Sequence, residues 1–278
     1  MAKFENDSLG ARMKEYELTA QSKLLRRTPV IIRVDGRAFH TFTKKCEKPY
    51  DSNLHDAMCF AAQQLVDGIQ GAVLAYTQSD EISILVRDWD SVKTSAFYDN
   101  NVQKFVSISA VIASNAFNHH WFYRDFVIGS RDNGMPAYKE LAQFDARVYN
   151  LPKEEVCNYF IWRQMDATRN SINMLAQANF SHKQLQGKNI RNVQDMLVLE
   201  KGKNWNNEEV WAKRGSCAYK VERAIAESFE ASVEVKDTAY QVRITPTRSS
   251  IETDRDIPIF TQDRNFIERF LAIAKEEE

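Results

Sequence analysis

The sequence is poor in residues that staple or span. Four cysteines, Cys46, Cys59, Cys157 and Cys217, are scattered through 278 residues with no C-x-x-C pair. That argues against a disulfide framework or a zinc site and leaves a reducing cytoplasm as the expected setting. No apolar run approaches the ~20 residues of a membrane-spanning helix. The opening stretch MAKFENDSLGARMKEYE is charged from its start and lacks an apolar h-region, so no secretory signal is expected. Neither charge is in excess: Lys and Arg number 37 against 38 Asp and Glu, a net −1. A non-specific nucleic-acid coater would be basic overall, but an enzyme with a local basic patch stays open. The sequence has no internal repeats or low-complexity tracts. What remains is 44% hydrophobic and 27% charged, ordinary for a globular protein of one large domain or one domain with an extension.

Glycine is also missing where a hairpin would want it. In AYTQSDEISILV, Ala75 to Val86, two apolar stretches meet at a Thr77–Glu81 turn that carries Asp80 and Glu81 but no Asn-Gly or Asp-Gly. Around this hairpin the periodicities predict a strand at Val30–Val34, ending at Asp35-Gly36. A helix follows over Asp51–Asp67, with Asp51 or Ser52 as N-cap and Gly68 as stop. Strands at Ala72–Tyr76 and Ile82–Val86, a helix over Asp99–Phe117 and a strand at Phe144–Tyr149 complete the series. Strand, helix, strand, strand, helix, strand is the ferredoxin-like βαββαβ order, so the expected class is α+β. A long helix from Pro152 towards Phe180, a strand-like run at Tyr240–Ile244 and an amphipathic C-terminal helix bearing Phe266, Phe270, Leu271 and Ile273 are expected beyond it. Three segments result: a catalytic core over 1–150, a helical or mixed region over 151–232, and a strand-helix extension over 233–278.

This topology can bring Asp35, Asp80 and Glu81 to one edge of a sheet. Converging carboxylates repel one another unless cations lie between them. Mg²⁺ prefers oxygen ligands and uses one or two carboxylates together with substrate phosphates. Two such ions ~3.5–4 Å apart can activate an attacking hydroxyl and stabilise a leaving phosphate oxygen. The plainer alternative is that Asp35-Gly36 and Ser79-Asp80 are turn residues and Glu81 is solvated.

Five blocks, RVDGRAFH (Arg33–His40), KPYD (Lys48–Asp51), QSDEIS (Gln78–Ser83), FDARV (Phe144–Val148) and WRQMDATRN (Trp162–Asn170), occur in this order. Together they resemble the tRNA-His guanylyltransferase family, including its guanylyltransferase-like relatives, over roughly Val30 to Lys220. The resemblance implies a palm-type core that adds nucleotides to a tRNA 5′ end in the 3′→5′ direction. A 5′-monophosphate is first activated with an NTP, usually ATP; the 3′-OH of the incoming GTP or other NTP then attacks. It also implies two Mg²⁺ ions held by Asp35, the Gly36 carbonyl and Asp80, with Glu81 also catalytic. Gly36, Arg37, Ala38, Phe39 and His40 would form a loop beside the triphosphate. Lys48, Ser79 and Lys104 would contact nucleotide, and Arg33 matches an arginine important for activity. His40 as a metal ligand is disfavoured, because imidazole suits softer metals. A homotetramer sharing one tRNA among subunits is implied as well.

The family's H-I-N-N-L-Y-N stretch reads here Thr168-Arg169-Asn170-Ser171-Ile172-Asn173-Met174, keeping only Asn170. Arg163, Asp166, Asn170 and Asn173 fall on one helical stripe, so Arg163 and Asn170 are expected to contact the RNA end or support the site; a solvated face is the alternative. Losing that histidine favours templated 5′-end repair of truncated tRNAs over addition of one G at position −1 to tRNA-His. Lysines and arginines over Lys183–Arg223, with Trp205 and Trp211 interleaved, form a candidate tRNA surface centred on Lys213 and Arg214, or simply a solvated charged face. A palm-type nucleotide cyclase and a non-enzymatic tRNA-binding module are the rival classes.

Overall fold

Strand alternation sets the architecture. The computed structural model describes residues 8–127, 140–224, 229–235 and 238–272. Six antiparallel strands form one sheet in the order β4-β1-β3-β2-β5-β8. They are β1 (Val30–Gly36), β2 (Ala72–Gln78), β3 (Glu81–Val86), β4 (Phe144–Asn150), β5 (Ser216–Ala224) and β8 (Thr247–Asp254); β6 (Phe229–Val235) and β7 (Thr238–Ile244) form a separate hairpin. The helices are α1 (Ser8–Thr19), α2 (Phe39–Phe42), α3 (Ser52–Gly68), α4 (Val102–Val127), α5 (Lys153–Gln177), α6 (His182–Leu185), α7 (Ile190–Lys201), α8 (Val210–Arg214) and α9 (Asn265–Glu268).

The ferredoxin-like order is present as β1, α3, β2, β3, α4, β4. Val30, Ile32 and Val34 of β1 and Ile82, Ile84 and Val86 of β3 point to one face and pack with Met58, Leu65, Phe105 and Phe117 of α3 and α4. Ile31, Leu74, Tyr76 and Leu85 point to the other face, where α5 supplies Val156, Tyr159 and Phe160 and the C-terminal segment supplies Ile257, Phe260 and Phe266. The sheet is therefore covered on both sides, which is why every residue of β3 is buried. Segments 151–232 and 233–278 both contribute strands to this sheet, through β5 and β8. Asp51 is the α3 N-cap: its carboxylate accepts from the backbone N–H of Asn53 and Leu54.

Two helices differ from expectation. α4 runs ten residues past Phe117, because Trp121 continues its apolar face by stacking on Phe117 at 5.8 Å. The C-terminal helix shrinks to the single turn of α9. Arg87 donates to the carbonyls of Phe270 and Ala272 at 2.7 and 2.6 Å, and Arg269 stacks on Tyr219, Phe266 and Phe270. Ile273 lies outside the described residues. No helix among the described residues is long and apolar enough to cross a membrane.

Candidate functional site

Register builds the site. Asp35 lies opposite Glu81 on β3 and opposite Asp145 on β4; one pleat back, Arg33 lies opposite Ser83 and Arg147. Because side chains alternate along a strand, these residues share the face that α5 covers. A row of acids (Asp145, Asp35, Glu81) at the end of the sheet is thus backed by a row holding two arginines. Arg33 Nη2 donates to Asp35 Oδ2 at 3.2 Å, and Arg147 pairs with Asp145 at 3.3 Å and with Asp35 at 4.0 Å. Asp145 and Arg147 were present in the FDARV block but carried no assignment there; an acid and a base two residues apart on a strand was the available signal.

The β2–β3 turn is reduced to Ser79 and Asp80. Ser79 adopts φ 52°, a left-handed conformation that costs an L-residue about 1–2 kcal/mol. Ala38 does the same at φ 54° in the loop after β1. Two strained non-glycine positions thus adjoin the same carboxylates, while others lie away from them at Arg27 and Tyr98–Asn100. The Gly36 N–H donates to the Asp80 carbonyl at 3.0 Å, joining the two turns. Burial, with Asp35 adding to it, pushes the Asp80 carboxyl above the ordinary range.

Asp80 and Glu81 do different things. Glu81 is only 6% exposed, and both its oxygens are held by Arg163 of α5, each at 2.7 Å. Burial pushes the Glu81 carboxyl up, while Arg163 and Arg33 pull it back. Of the two roles expected for Arg163, support of the site is the one its geometry fits: it is buried at 5% exposure and committed to Glu81 rather than presented to RNA. Asn170 is half-buried and lines a small cavity with Ser79, Gln78, Tyr50 and Trp211.

Around the loop, Arg37 donates to Gln143 Oε1 at 2.8 Å. Phe39 points into the core against Phe42, Phe117 and Phe144. His40 is exposed and bonded to Thr41 at 3.0 Å, and Lys48 donates to the Thr43 carbonyl at 3.3 Å. A cavity of about 780 Å³ opens beside this loop, lined by Arg37, Ala38, Lys44, Lys45, Trp121 and Gln143 among others; that volume suits a nucleotide-sized ligand. Lys104 is not brought here. It sits in the first turn of α4, and Phe117, which packs on the loop, lies about 20 Å further along the same helix at 1.5 Å per residue.

Two expected base-stacking residues are used internally. Trp205 donates to Ser171 Oγ at 2.9 Å and lies under Lys213. Trp211 stacks on His55 at 4.5 Å and bonds Glu209. Lys213 donates to the Asn206 carbonyl at 2.7 Å, and Arg214 is half-buried.

Among the described residues no three His, Cys, Asp or Glu side chains form a ready metal cage. The oxygen set that exists, Asp35 and Asp80 with the neighbouring Gly36 carbonyl, fits a cation that keeps several waters and takes substrate phosphates as ligands, as Mg²⁺ does.

A profile of the tRNAHis guanylyltransferase family matches residues 10–152. The tRNA(His) guanylyltransferase of Schizosaccharomyces pombe is 30% identical over 73% of this chain and 77% of its own length. A solved bacterial tRNA(His) guanylyltransferase-like protein in complex with ATP is 41% identical, with a TM-score of 0.78, covering 96% of this chain and all of its own. A structure of such a bacterial protein in complex with GTP is 40% identical, with a TM-score of 0.73, covering 95% of this chain and 99% of its own.

Proposed function

The chain belongs to the tRNAHis guanylyltransferase family, and from that premise we propose that it is a nucleotidyltransferase that adds guanosine to the 5′ end of tRNA-His. The observation that carries the reading is the bond from Gly36 N–H to the Asp80 carbonyl, which ties the Asp80 turn to the end of β1, where Asp35 lies. The relatives' descriptions favour guanosine addition over the repair reading drawn from the sequence. Templated 5′-end repair remains the second reading, supported by Thr168 at the position of the family's histidine and by the 41% identity to the guanylyltransferase-like protein.

Asp35, the Gly36 carbonyl and Asp80 would hold Mg²⁺, which supplies charge neutralisation during phosphoryl transfer. The chain's own residues supply position. Arg37 and Ala38 of the loop after β1 lie on the wall of the large cavity, where Arg37 can meet triphosphate oxygens, and Lys44 and Lys45 stand on its rim. ATP and GTP are the expected nucleotides, tRNA the acceptor, and a homotetramer in the cytoplasm the proposed working form.

The test uses 5′-labelled full-length tRNA-His and 5′-truncated tRNA, each with ATP, Mg²⁺ and every NTP in turn. G added to full-length tRNA-His, with Asp80→Ala slowed at least about 10²-fold, supports the first reading. Extension of truncated tRNA alone, by the nucleotide complementary to the opposite strand, replaces it with repair. Pyrophosphate release from NTP without tRNA overturns both in favour of a cyclase.

A further inference from the structure

Glu81 shares a face with Asp35 in the row of acids at the sheet edge, but both its oxygens are already committed elsewhere. Its two oxygens accept from Arg163 Nε and Nη2 at 2.7 Å each. Ser83 Oγ adds a third contact at 3.2 Å and is itself bonded to the Tyr159 hydroxyl at 2.8 Å. On its other side Arg33 Nε lies 3.5 Å from Glu81 Oε2, while Arg33 Nη2 reaches Asp35 Oδ2 at 3.2 Å. A continuous chain therefore runs from Arg163 on α5, through Glu81 on β3 and Arg33 on β1, to Asp35. Arg163 is fixed at its far end as well: it donates to Asp166 at 3.0 Å and stacks on Trp162 at 4.4 Å.

We propose that Arg163 is a positioning residue for the Asp35 carboxylate, acting through Glu81 and Arg33. The proposal rests on the reading that Asp35 holds the metal of a nucleotidyl transfer. A buried ion pair is a poor stabilising device, because desolvation offsets its attraction and apolar side chains fill the same space as well or better. What a forked guanidinium provides is orientation: two parallel bonds fix the plane of the Glu81 carboxylate, and lysine cannot reproduce them. Partners one bond removed from a metal ligand set its direction, and losing them commonly weakens metal affinity or activity by about 10–100-fold. Glu81 thus matters for the reaction without touching the ion.

The experiment uses the full chain and three variants: Arg163→Lys, Glu81→Gln and Tyr159→Phe. Mn²⁺ binding is followed by loss of the free-ion EPR signal, without nucleotide or tRNA. The Mg²⁺ concentration for half-maximal nucleotide addition, kcat, KM for tRNA and the thermal midpoint are measured alongside. Arg163→Lys and Glu81→Gln are expected to weaken Mn²⁺ binding and raise the Mg²⁺ requirement about 10-fold or more. KM for tRNA should hold. Tyr159→Phe, which removes one hydroxyl behind Ser83, shifts both in the same direction by less and keeps the test alive should Arg163→Lys fail to fold.

Unchanged Mn²⁺ affinity with a raised KM for tRNA would make Arg163 an RNA contact and overturn the proposal. So would a lowered thermal midpoint with metal affinity and kcat intact. A wild-type chain that neither binds Mn²⁺ nor adds nucleotide overturns the underlying reading of the site. A wild type that does both, beside an indifferent Arg163→Lys, overturns the positioning role alone.

Discussion

A methyl group on Gly36 would stand 2.3 Å from the Phe39 ring, and that ring has nowhere to go. It is wedged among Phe42, Phe117 and Phe144 at centroid distances of 5.0 to 5.5 Å. Relief must come from the backbone that carries Asp35 on one side and the left-handed Ala38 on the other. Gly36→Ala is therefore expected to cost about 1–3 kcal/mol by overpacking. It should also slow nucleotide addition by about 10²-fold through misplacement of the reacting groups. Urea unfolding and single-turnover rates check the two effects separately. A variant that lost stability but kept its rate would show that the loop's position is not coupled to the chemistry. The same scale explains why Asp80 and Glu81 read alike in the sequence and differ in the fold. Adjacency says nothing of direction: Asp80 occupies the turn, while Glu81 begins β3 and its side chain takes the α5 face.

Elements meet at His55. This α3 side chain bonds Ser216 of β5 through Nε2 at 3.0 Å and stacks flat on Trp211 of α8 at 4.5 Å, so it joins three elements as a neutral ring. Burial, with Arg255 adding to it, pushes its pKa down to about 3. Below the ordinary histidine value of about 6.5 the unfolded chain takes up a proton that the folded chain refuses. The stability that His55 contributes is complete above that pH and is lost as pH falls towards 3, at up to about 1.4 kcal/mol per unit. Wild type should thus lose up to about 2 kcal/mol relative to His55→Gln between pH 6.5 and 5, read from urea midpoints; parallel curves would show that the ring protonates in place. Elements were legible wherever period and caps agreed. The β1, β2, β3 and α3 segments were marked by apolar alternation and by Asp51. The extra length of α4 was not legible: its Asn118 side chain is bonded to the backbone of Ala142 at 2.8 Å, a partner distant in the chain. The Arg87 bonds that end the C-terminal helix and the Arg163 fork on Glu81 were equally beyond reach. Each joins residues distant in the chain, and periodicity carries no such information.

For the whole molecule, a net charge of −1 means that a polyanion must be met by local surface rather than by the overall field. The basic stretch singled out in the sequence is the weaker candidate, since Lys213 is bonded to a backbone carbonyl and Arg214 is half-buried with its Nε enclosed. Lys44 and Lys45 are exposed on the rim of the large cavity, beside the loop that follows β1. Phosphate contacts release counterions, so each one adds roughly 0.7–0.9 to the slope of log affinity against log salt. Lys44→Ala with Lys45→Ala should lower that slope by about 1–2, and Lys213→Ala with Arg214→Ala should change it less. Filter binding of one tRNA across a salt series reads both. The reverse order would return the tRNA surface to the Lys183–Arg223 region and make the internal bonds of Lys213 a state that RNA displaces. The expected order would put the acceptor's phosphates at the same end of the sheet as Asp35 and Asp80, so that one end of one sheet holds both the reacting acids and the RNA end they act on.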